Sequence, residues 1–185
     1  MKLGALPGTT IEISHLEKDG ARHVFSHIFS AGGVVLSQLS HMTGLEPHTI
    51  QNWVKRGFLS PPQHRQYTER QFARVVIINL LRQSMQIDKI TALLSSINGK
   101  LSDERDDRID DPTLYNMFIN LLCAIGEGYP SREAIKSAAQ KELCGFPERY
   151  AGDKKRIERV LSVMVYAYLC SVAQKRIDQL LCHFD

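Results

Sequence analysis

Amide, hydroxyl and basic side chains are concentrated in one short stretch of this chain, residues 47–56. Amide side chains such as Gln51 and Asn52 can pair bidentately with adenine, and a lysine such as Lys55 can reach phosphate or guanine. Residues at the start of a helix can meet a phosphate with the positive end of the helix dipole. These side chains therefore suit the recognition of nucleic acid. The candidate contact residues in this stretch are His48, Thr49, Gln51, Asn52, Lys55 and Arg56.

A second group of candidate contacts follows Pro61 and Pro62, which cannot continue a helix. Arg65, Tyr67 and Arg70 carry guanidinium and phenol groups, which commonly donate to phosphate oxygens. Phosphate contacts fix the register of a protein on DNA without reading its sequence. We expect this group to contact the backbone beside a groove, while the first stretch enters the groove.

Two short helices are predicted to position the first stretch, and they meet at Gly44. Pro47 suits the first position of the second helix, because the N–H that proline lacks would be unpaired there. Gly57 suits the helix end, since glycine adopts a left-handed stop without strain. The apolar residues that face the core are Leu36, Leu39 and Leu45 in the first unit and Ile50, Trp53 and Val54 in the second. Two short helices joined by such a turn are typical of a helix-turn-helix.

The element after the prolines is predicted to be a capped and buried helix. Thr68 and Gln71 have the spacing of a capping box, in which each side chain satisfies a main-chain N–H of the other residue. The residues after Gln71 are too apolar for an exposed helix. With a short extended segment from Arg65 to Tyr67, this order of elements predicts a winged helix-turn-helix with a short wing.

Several short motifs carry a resemblance to a known family. They are Thr43-Gly44, Thr49-Ile50, Lys55, Gly57-Phe58-Leu59, Pro61-Pro62, Arg65-x-Tyr67 and, in the next helix, Gln86 to Ile90. Over residues 36–97 the chain resembles the DNA-binding domain of MerR-type bacterial regulators, which implies a winged helix-turn-helix that binds double-stranded DNA. Over residues 30–125 it is similar to a bacterial family of unknown function with a MerR-like domain. The glycine-containing hairpin of the MerR wing has no counterpart here, so we expect fewer phosphate contacts.

The rest of the chain is predicted to be helical on both sides of this domain. Residues 1–35 form an N-terminal segment with one short helix, and residues 36–99 form the winged helix-turn-helix. An acidic linker at 100–111 leads to a C-terminal helical bundle at 112–185 with a long last helix. Six carboxylates within residues 102–111 suggest a divalent cation, but their spacing is not that of an EF-hand. Two alternatives are a solvated linker and a segment that folds back on the basic domain.

The positive charge of the chain is concentrated in the predicted DNA-binding domain. Residues 36–99 hold seven Lys and Arg against three Asp and Glu, whereas the whole chain has a net charge of +3. A DNA partner requires an electrostatic footprint of this kind. The four cysteines stand far apart, without the spacing of a zinc site, so we expect them to act as small hydrophobes in helices.

Other function classes find no support in the sequence. The chain has no glycine-rich phosphate loop, nucleophile elbow or HExxH motif. It also lacks a signal peptide and an apolar run of about twenty residues. We therefore expect neither an enzyme nor a cofactor, metal or membrane partner, and we expect the protein in the cytoplasm.

The sequence thus predicts an all-α, DNA-binding transcriptional regulator, with residues 47–56 as the recognition helix. A single DNA-binding domain with this charge would bind DNA weakly, so we expect a homodimer or higher oligomer that assembles through the C-terminal helices. The alternative is a protein–protein interaction module that uses the helix-turn-helix as a scaffold. A small-molecule effector stays open, because it would need a pocket in the C-terminal bundle.

Overall fold

The computed structural model describes residues 4–99, 107–126 and 128–182, which are mostly helical. The predicted all-α class is confirmed at this level, since the sheet in these ranges consists of two short strands. In chain order the elements are α1 (Gly20–Ile28), β1 (Val34–Val35), α2 (Leu36–Thr43), α3 (Pro47–Lys55), β2 (Gln66–Tyr67), α4 (Glu69–Leu81), α5 (Ile87–Asn98), α6 (Asp111–Ile125), α7 (Arg132–Glu142) and α8 (Asp153–Leu181). Within the described ranges, no helix combines the length and the apolar composition of a membrane span.

Helix α4 lies in the core, and each of its residues from Gln71 to Leu81 is buried. Its start confirms the predicted capping box. The Thr68 hydroxyl accepts from the Gln71 N–H at 3.3 Å, and the Gln71 side-chain oxygen accepts from the Thr68 N–H at 2.9 Å. The Gln71 side-chain nitrogen also donates to the carbonyl oxygens of Ser60 and Pro61. The cap therefore ties the proline-containing loop to the core.

Helices α2 and α3 are joined by a tight turn at Gly44, whose φ of 67° lies in the left-handed region. As the sequence predicts, α3 begins at Pro47 and is followed by Gly57 with a φ of 75°. Asn79 of α4 holds the turn to the core, because its side-chain nitrogen donates to the Thr43 carbonyl at 2.9 Å. The helix pair is thus anchored through its turn as well as through its apolar face.

The short sheet joins the segment before α2 to the segment before α4. Val34 pairs with Tyr67 and Val35 pairs with Gln66 in antiparallel register. The sequence analysis expected extended structure near Tyr67 but no strand at Val34 and Val35. Two residues are too few for an alternating pattern to show, so β1 is visible only through its tertiary pairing.

The N-terminal segment packs against the helices. Leu6 is buried, and the Tyr115 hydroxyl of α6 donates to the Pro7 carbonyl at 2.5 Å. Helix α1, which begins at Gly20, is the short helix within this segment. Two asparagines of α6 fix the preceding residue, Asp19, through hydrogen bonds to its N–H and its carboxylate. The start of α1 is therefore set by tertiary contacts rather than by a local capping motif.

The acidic segment differs from the predicted solvated linker. Residues 100–106 lie outside the described residues, but Asp107, Ile109 and Asp111 are only 8%, 4% and 1% exposed. The carboxylates are buried because they face arginines of α4. Asp110 caps α6, and its carboxylate accepts from a main-chain N–H of the first turn at 2.8 Å.

Helices α6, α7 and α8 pack together as the predicted C-terminal bundle, and α6 also packs on α1 and α4. One hydrophobic core therefore spans the N-terminal part, the α2–α5 region and the bundle. The N-cap of α8 is Gly152, which has no side chain to make a capping hydrogen bond. The Asp153 carboxylate instead accepts from the main-chain N–H groups of Arg149 and Tyr150, at 3.1 and 2.8 Å.

The second half of α8 differs from the first. The helix buries one face as far as Ser171, whereas residues 174–181 are all exposed. Their apolar members Ile177, Leu180 and Leu181 therefore lie in solvent. The expectation that the cysteines act as buried hydrophobes is wrong at three exposed positions, Cys144, Cys170 and Cys182.

Candidate nucleic-acid interface

Helix α3 presents an apolar face to the core and a polar face to solvent. Ile50 and Trp53 are 0% and 5% exposed, so they anchor the helix. The exposed residues of the opposite side are His48, Gln51, Asn52 and Lys55. The amides and the ammonium group to which the sequence analysis assigned DNA contacts are therefore accessible on one helix face.

The start of α3 carries an acidic residue beside the predicted phosphate position. Glu46 is the exposed N-cap, and its side chain makes no capping hydrogen bond. Its carbonyl accepts from the Thr49 N–H at 2.9 Å, so this amide is engaged within the helix. Thr49 is also half-buried, whereas His48 is exposed. A phosphate here would gain from the helix dipole and lose from the Glu46 carboxylate, which makes this end the weaker part of the face.

Arg56 follows α3 and already has two partners. Its guanidinium lies 4.5 Å from the centroid of the Phe58 ring and 3.8 Å from the carboxylate of Asp88 in α5. The two charged side chains are 57% and 80% exposed. Solvent-exposed ion pairs contribute at most about 1 kcal/mol. Arg56 can therefore exchange Asp88 for a phosphate at little cost.

The predicted wing is a two-residue hairpin turn. Gln63 and Gln66 exchange two main-chain hydrogen bonds, of 3.0 and 2.8 Å, across His64 and Arg65. The φ angles of His64 and Arg65 are 49° and 64°. Two positive φ values are the pattern of a type I′ turn. For residues with a Cβ this conformation costs on the order of 1 kcal/mol each. The strained tip exposes an imidazole and a guanidinium.

The other two residues assigned to the wing are placed differently. Tyr67 is 3% exposed, because β2 pairs it with Val34 over the core. Its ring is thus a core group, and burial raises the pKa of its hydroxyl. Arg70 is partly buried and forms an ion pair with Asp107 of the acidic segment. Among the three wing residues, Arg65 is therefore the exposed cation.

A buried ion pair holds a further arginine of α4. The Arg74 Nε donates to one carboxylate oxygen of Asp111 at 2.9 Å, and the two side chains are 5% and 2% exposed. Asn98 of α5 donates to the other oxygen at 3.0 Å. Burial raises the pKa of Asp111, and the neighbouring Arg74 opposes that rise. For residues 107–111, a segment that folds back on the basic domain is thus the better description of the two alternatives.

Helix α2 supports both exposed contact elements. It packs against α3 and against β2, so the polar face of α3 and the hairpin share one scaffold. The sequence analysis missed His64 as a candidate at the hairpin tip. Neither His64 nor Arg65 is a residue that usually marks a type I′ turn, so the local signal was absent. The pairing of Arg74 with Asp111 was missed because the partners lie 37 residues apart.

Comparison with known proteins identifies one domain in this chain. Residues 28–118 match the family model described as a domain of unknown function, DUF1836. The match includes β1, α2, α3, β2, α4, α5 and the acidic segment, and it ends within α6. No curated protein and no solved structure matches the chain. The similarity to a family of unknown function is thereby confirmed, and the MerR-like assignment stays a prediction.

Proposed function

We propose that this chain, whose residues 28–118 form a DUF1836 domain, is a bacterial transcription regulator that binds double-stranded DNA. In this proposal residues 36–99 act as a MerR-like winged helix-turn-helix, with α3 in the major groove. The observation that carries the proposal is the polar face of α3, which is exposed while the opposite face is buried in the core. A rigid helix with outward amides suits the reading of base edges.

The side chains of the interface take two kinds of role. Gln51 and Asn52 read base edges, and Lys55 binds phosphate or guanine. Arg56 and Arg65 bind phosphates and so fix the register of α3 on the duplex. The predicted contacts of Tyr67 and Arg70 receive less support, since the first is a core ring and the second is held by an aspartate.

The same proposal includes a homodimer, in which a second copy packs along the outer face of α8. The residues of this outer stripe are Tyr166, Cys170, Ala173, Ile177 and Leu180. Their spacing of four and three residues is that of a coiled-coil seam. At about 100° per residue, the stripe lies opposite the buried Tyr168. Tyr166, Ile177 and Leu180 are 44%, 49% and 56% exposed. A two-fold contact here would present two copies of α3 to the two half-sites of a palindromic DNA sequence.

A protein-interaction module is the second candidate function. The reduced positive charge of the candidate interface favours it. Arg70 and Arg74 are paired with aspartates, and the acidic Glu46 lies beside the start of α3. In this case the exposed face of α3 contacts a protein, and the hairpin serves as part of the scaffold. The two candidates differ in whether Lys55 and Arg65 affect DNA binding.

Fluorescence anisotropy with a labelled duplex tests the proposal. The duplex is taken from the region upstream of the protein's own gene and compared with a scrambled duplex at several salt concentrations. We expect preference for the upstream duplex, and a plot of log K against log salt whose slope reports several phosphate contacts. Lys55→Ala and Arg65→Ala should each weaken binding and reduce that slope by about 1.

A matched control is Lys136→Ala, which removes an exposed cation from α7. This variant should bind DNA as the wild type does. If all three variants and the wild type bind both duplexes equally, or none binds at low salt while each stays folded, the DNA-binding proposal fails in favour of the interaction module. Light scattering tests the dimer, since Ile177→Asp should yield a folded monomer from a dimeric wild type.

A further inference from the structure

Residues 107–111 form a strap whose charged side chains contact two different parts of the molecule. The Asp107 carboxylate forms an ion pair with Arg70 of α4. The next residue, Arg108, turns instead to the C-terminal bundle and forms an ion pair with Asp153 at the start of α8. The strap therefore joins the α2–α5 region to the bundle through charges of alternating sign.

Main-chain groups of the strap are held on both sides as well. The Arg108 N–H donates to the Ile97 carbonyl in the last turn of α5, at 2.9 Å. The Arg149 guanidinium, from the loop before α8, donates to the Asp107 carbonyl at 3.0 Å. Because these bonds fix the main chain, they keep the Asp107 carboxylate beside Arg70 without relying on the ion pair alone.

A cleft of about 350 Å³ lies beside this ion pair. Its lining includes Pro61, Pro62 and Gln63 of the loop that leads into the hairpin, together with Arg70 and Asp107. The Arg70 side chain is 27% exposed, whereas that of Asp107 is 7% exposed. An anion that enters from solvent can therefore reach the Arg70 guanidinium, next to the hairpin to which the proposed function assigns a phosphate contact.

The partner that Arg70 has in the strap resembles the partner it would have in DNA. The planar donors of a guanidinium match the oxygens of a carboxylate and of a phosphate with the same geometry. Asp107 and a phosphate therefore exclude each other at Arg70, because both need the same donors. The neighbouring pair of Arg74 and Asp111 is 5% and 2% exposed, so exchange of partners is confined to Arg70.

We propose that the strap is an autoinhibitory contact, in which Asp107 competes with a phosphate of the DNA backbone for Arg70. The inference rests on the proposed function and concerns the regulation of the same interface. When Asp107 is displaced, Arg70 adds a phosphate contact beside the hairpin, and DNA binds more tightly. Because Arg108 and Arg149 attach the strap to the bundle side, a change at the start of α8 shifts the same competition.

Fluorescence anisotropy with the upstream duplex tests the competition through a double-variant cycle. Asp107→Asn removes the competing charge and should raise DNA affinity about two- to fivefold. In the Arg70→Ala background, Asp107→Asn should bring no more gain than the control Glu133→Gln, which removes an exposed carboxylate from α7. A gain of equal size in both backgrounds overturns the proposal, since it would reflect only the loss of a negative charge.

Arg149→Ala tests the bundle side of the strap by the sign of its effect. Loss of its hydrogen bond to Asp107 loosens the strap, so DNA affinity should rise, by less than with Asp107→Asn. Removal of a cation that contacts DNA directly would lower affinity instead. The control Lys155→Ala removes an exposed cation from the first turn of α8 and should bring no rise. Unchanged or reduced affinity for Arg149→Ala overturns the role of the bundle.

Hydrogen exchange of the Arg108 N–H, followed by nuclear magnetic resonance, measures the strap without DNA. Asp107→Asn should accelerate this exchange about two- to fivefold, because the strap loses one attachment. The N–H of Leu80, which lies in the core helix α4, should exchange as in the wild type. A saturating amount of the upstream duplex should accelerate the Arg108 exchange of the wild type as well. Unchanged exchange in both cases overturns the strap.

The two measurements separate failure of the strap from failure of the proposed function. If neither the wild type nor Asp107→Asn binds DNA at low salt, the DNA-binding proposal fails and the competition fails with it. If the wild type prefers the upstream duplex and Asp107→Asn binds it no more tightly, only the competition fails. Binding by Asp107→Asn alone would support both, because the wild type would then be fully inhibited.

Discussion

The cations of α4 and those of the candidate interface belong to the same stretch of chain but have opposite environments. Arg74 is 4% exposed and pairs with Asp111 inside the core, and Arg70 pairs with Asp107 beside it. Lys55 is exposed on α3 and Arg65 is exposed at the hairpin tip, and neither has an ion pair among the described residues.

This difference shows why a charge count overstates the surface available to DNA. The excess of positive residues within 36–99 includes two arginines whose charges are balanced by the acidic segment. A buried arginine acts on folding, because its removal would leave a carboxylate without a counter-charge. An exposed arginine acts on binding, since solvent already screens it from the rest of the protein. The predictions below test this separation.

Arg74→Ala should have the largest effect, on stability. It leaves the Asp111 carboxylate buried without its counter-charge, which costs about 3–5 kcal/mol. Urea denaturation measures the loss in the free energy of unfolding. Lys89→Ala, which removes an exposed cation from α5, should change it by less than about 0.5 kcal/mol. A loss below about 1 kcal/mol for Arg74→Ala would place this arginine with the exposed cations.

Asp153→Asn tests another carboxylate that holds an arginine, since Asp153 forms an ion pair with Arg108. Burial alone raises the pKa of Asp153, but hydrogen bonds from Tyr150 N–H and Arg108 together lower it. The folded pKa is thus below the unfolded value, so the stabilisation is present above the unfolded pKa and is lost as pH falls through the folded pKa.

We expect Asp153→Asn to lose about 1.5–3 kcal/mol at pH 7, the usual contribution of hydrogen bonds to a charged group. The difference from wild type should shrink as the pH falls through the folded pKa of Asp153, which lies below its ordinary value of 3.8. Denaturant titrations at pH 7 and at pH 3 measure it. An equal difference at both pH values would show that the charge of Asp153 contributes nothing.

Asp107→Asn removes the carboxylate that forms an ion pair with Arg70, and it should make this guanidinium more available to DNA. Under the proposed function, DNA affinity should rise about two- to fivefold, because the partly exposed Arg70 loses a competitor worth up to about 1 kcal/mol. The salt slope should steepen by about 1. Anisotropy with the upstream duplex measures both. Unchanged affinity with an intact fold would mean that Arg70 lies outside the DNA contact.

Arg65→Gly should have the smallest effect on stability and should separate folding from binding. Glycine relieves the left-handed conformation at φ 64°, so the free energy of unfolding should rise by about 0.5–1 kcal/mol while DNA affinity falls. His64→Gly is the matched control, with a similar gain in stability and a smaller loss of affinity. A loss of stability in both variants would contradict the type I′ turn.

Local patterns predicted the elements whose signals lie within a few residues. The Thr68–Gln71 capping box, the Pro47 start of α3 and the stop at Gly57 are observed as predicted, because each depends on main-chain geometry over one helical turn. The apolar spacing of Ile50 and Trp53 also identified the buried face of α3, and hence its exposed side chains. That part of the candidate site was accessible from the sequence.

The sequence by itself determined the helical class, the ends of α3, the capping box of α4 and the polar face of α3, since these depend on neighbours three or four residues apart. Tertiary structure decided which charges are exposed and which are held in buried ion pairs, because Arg74 and Asp111 lie 37 positions apart in the sequence and meet only in the folded protein. It also paired β1 with β2, buried the Tyr67 ring and brought the N-terminal segment against α6, where the Tyr115 hydroxyl donates to the Pro7 carbonyl. Burial and pairing over such distances depend on how the helices pack, which no local spacing encodes.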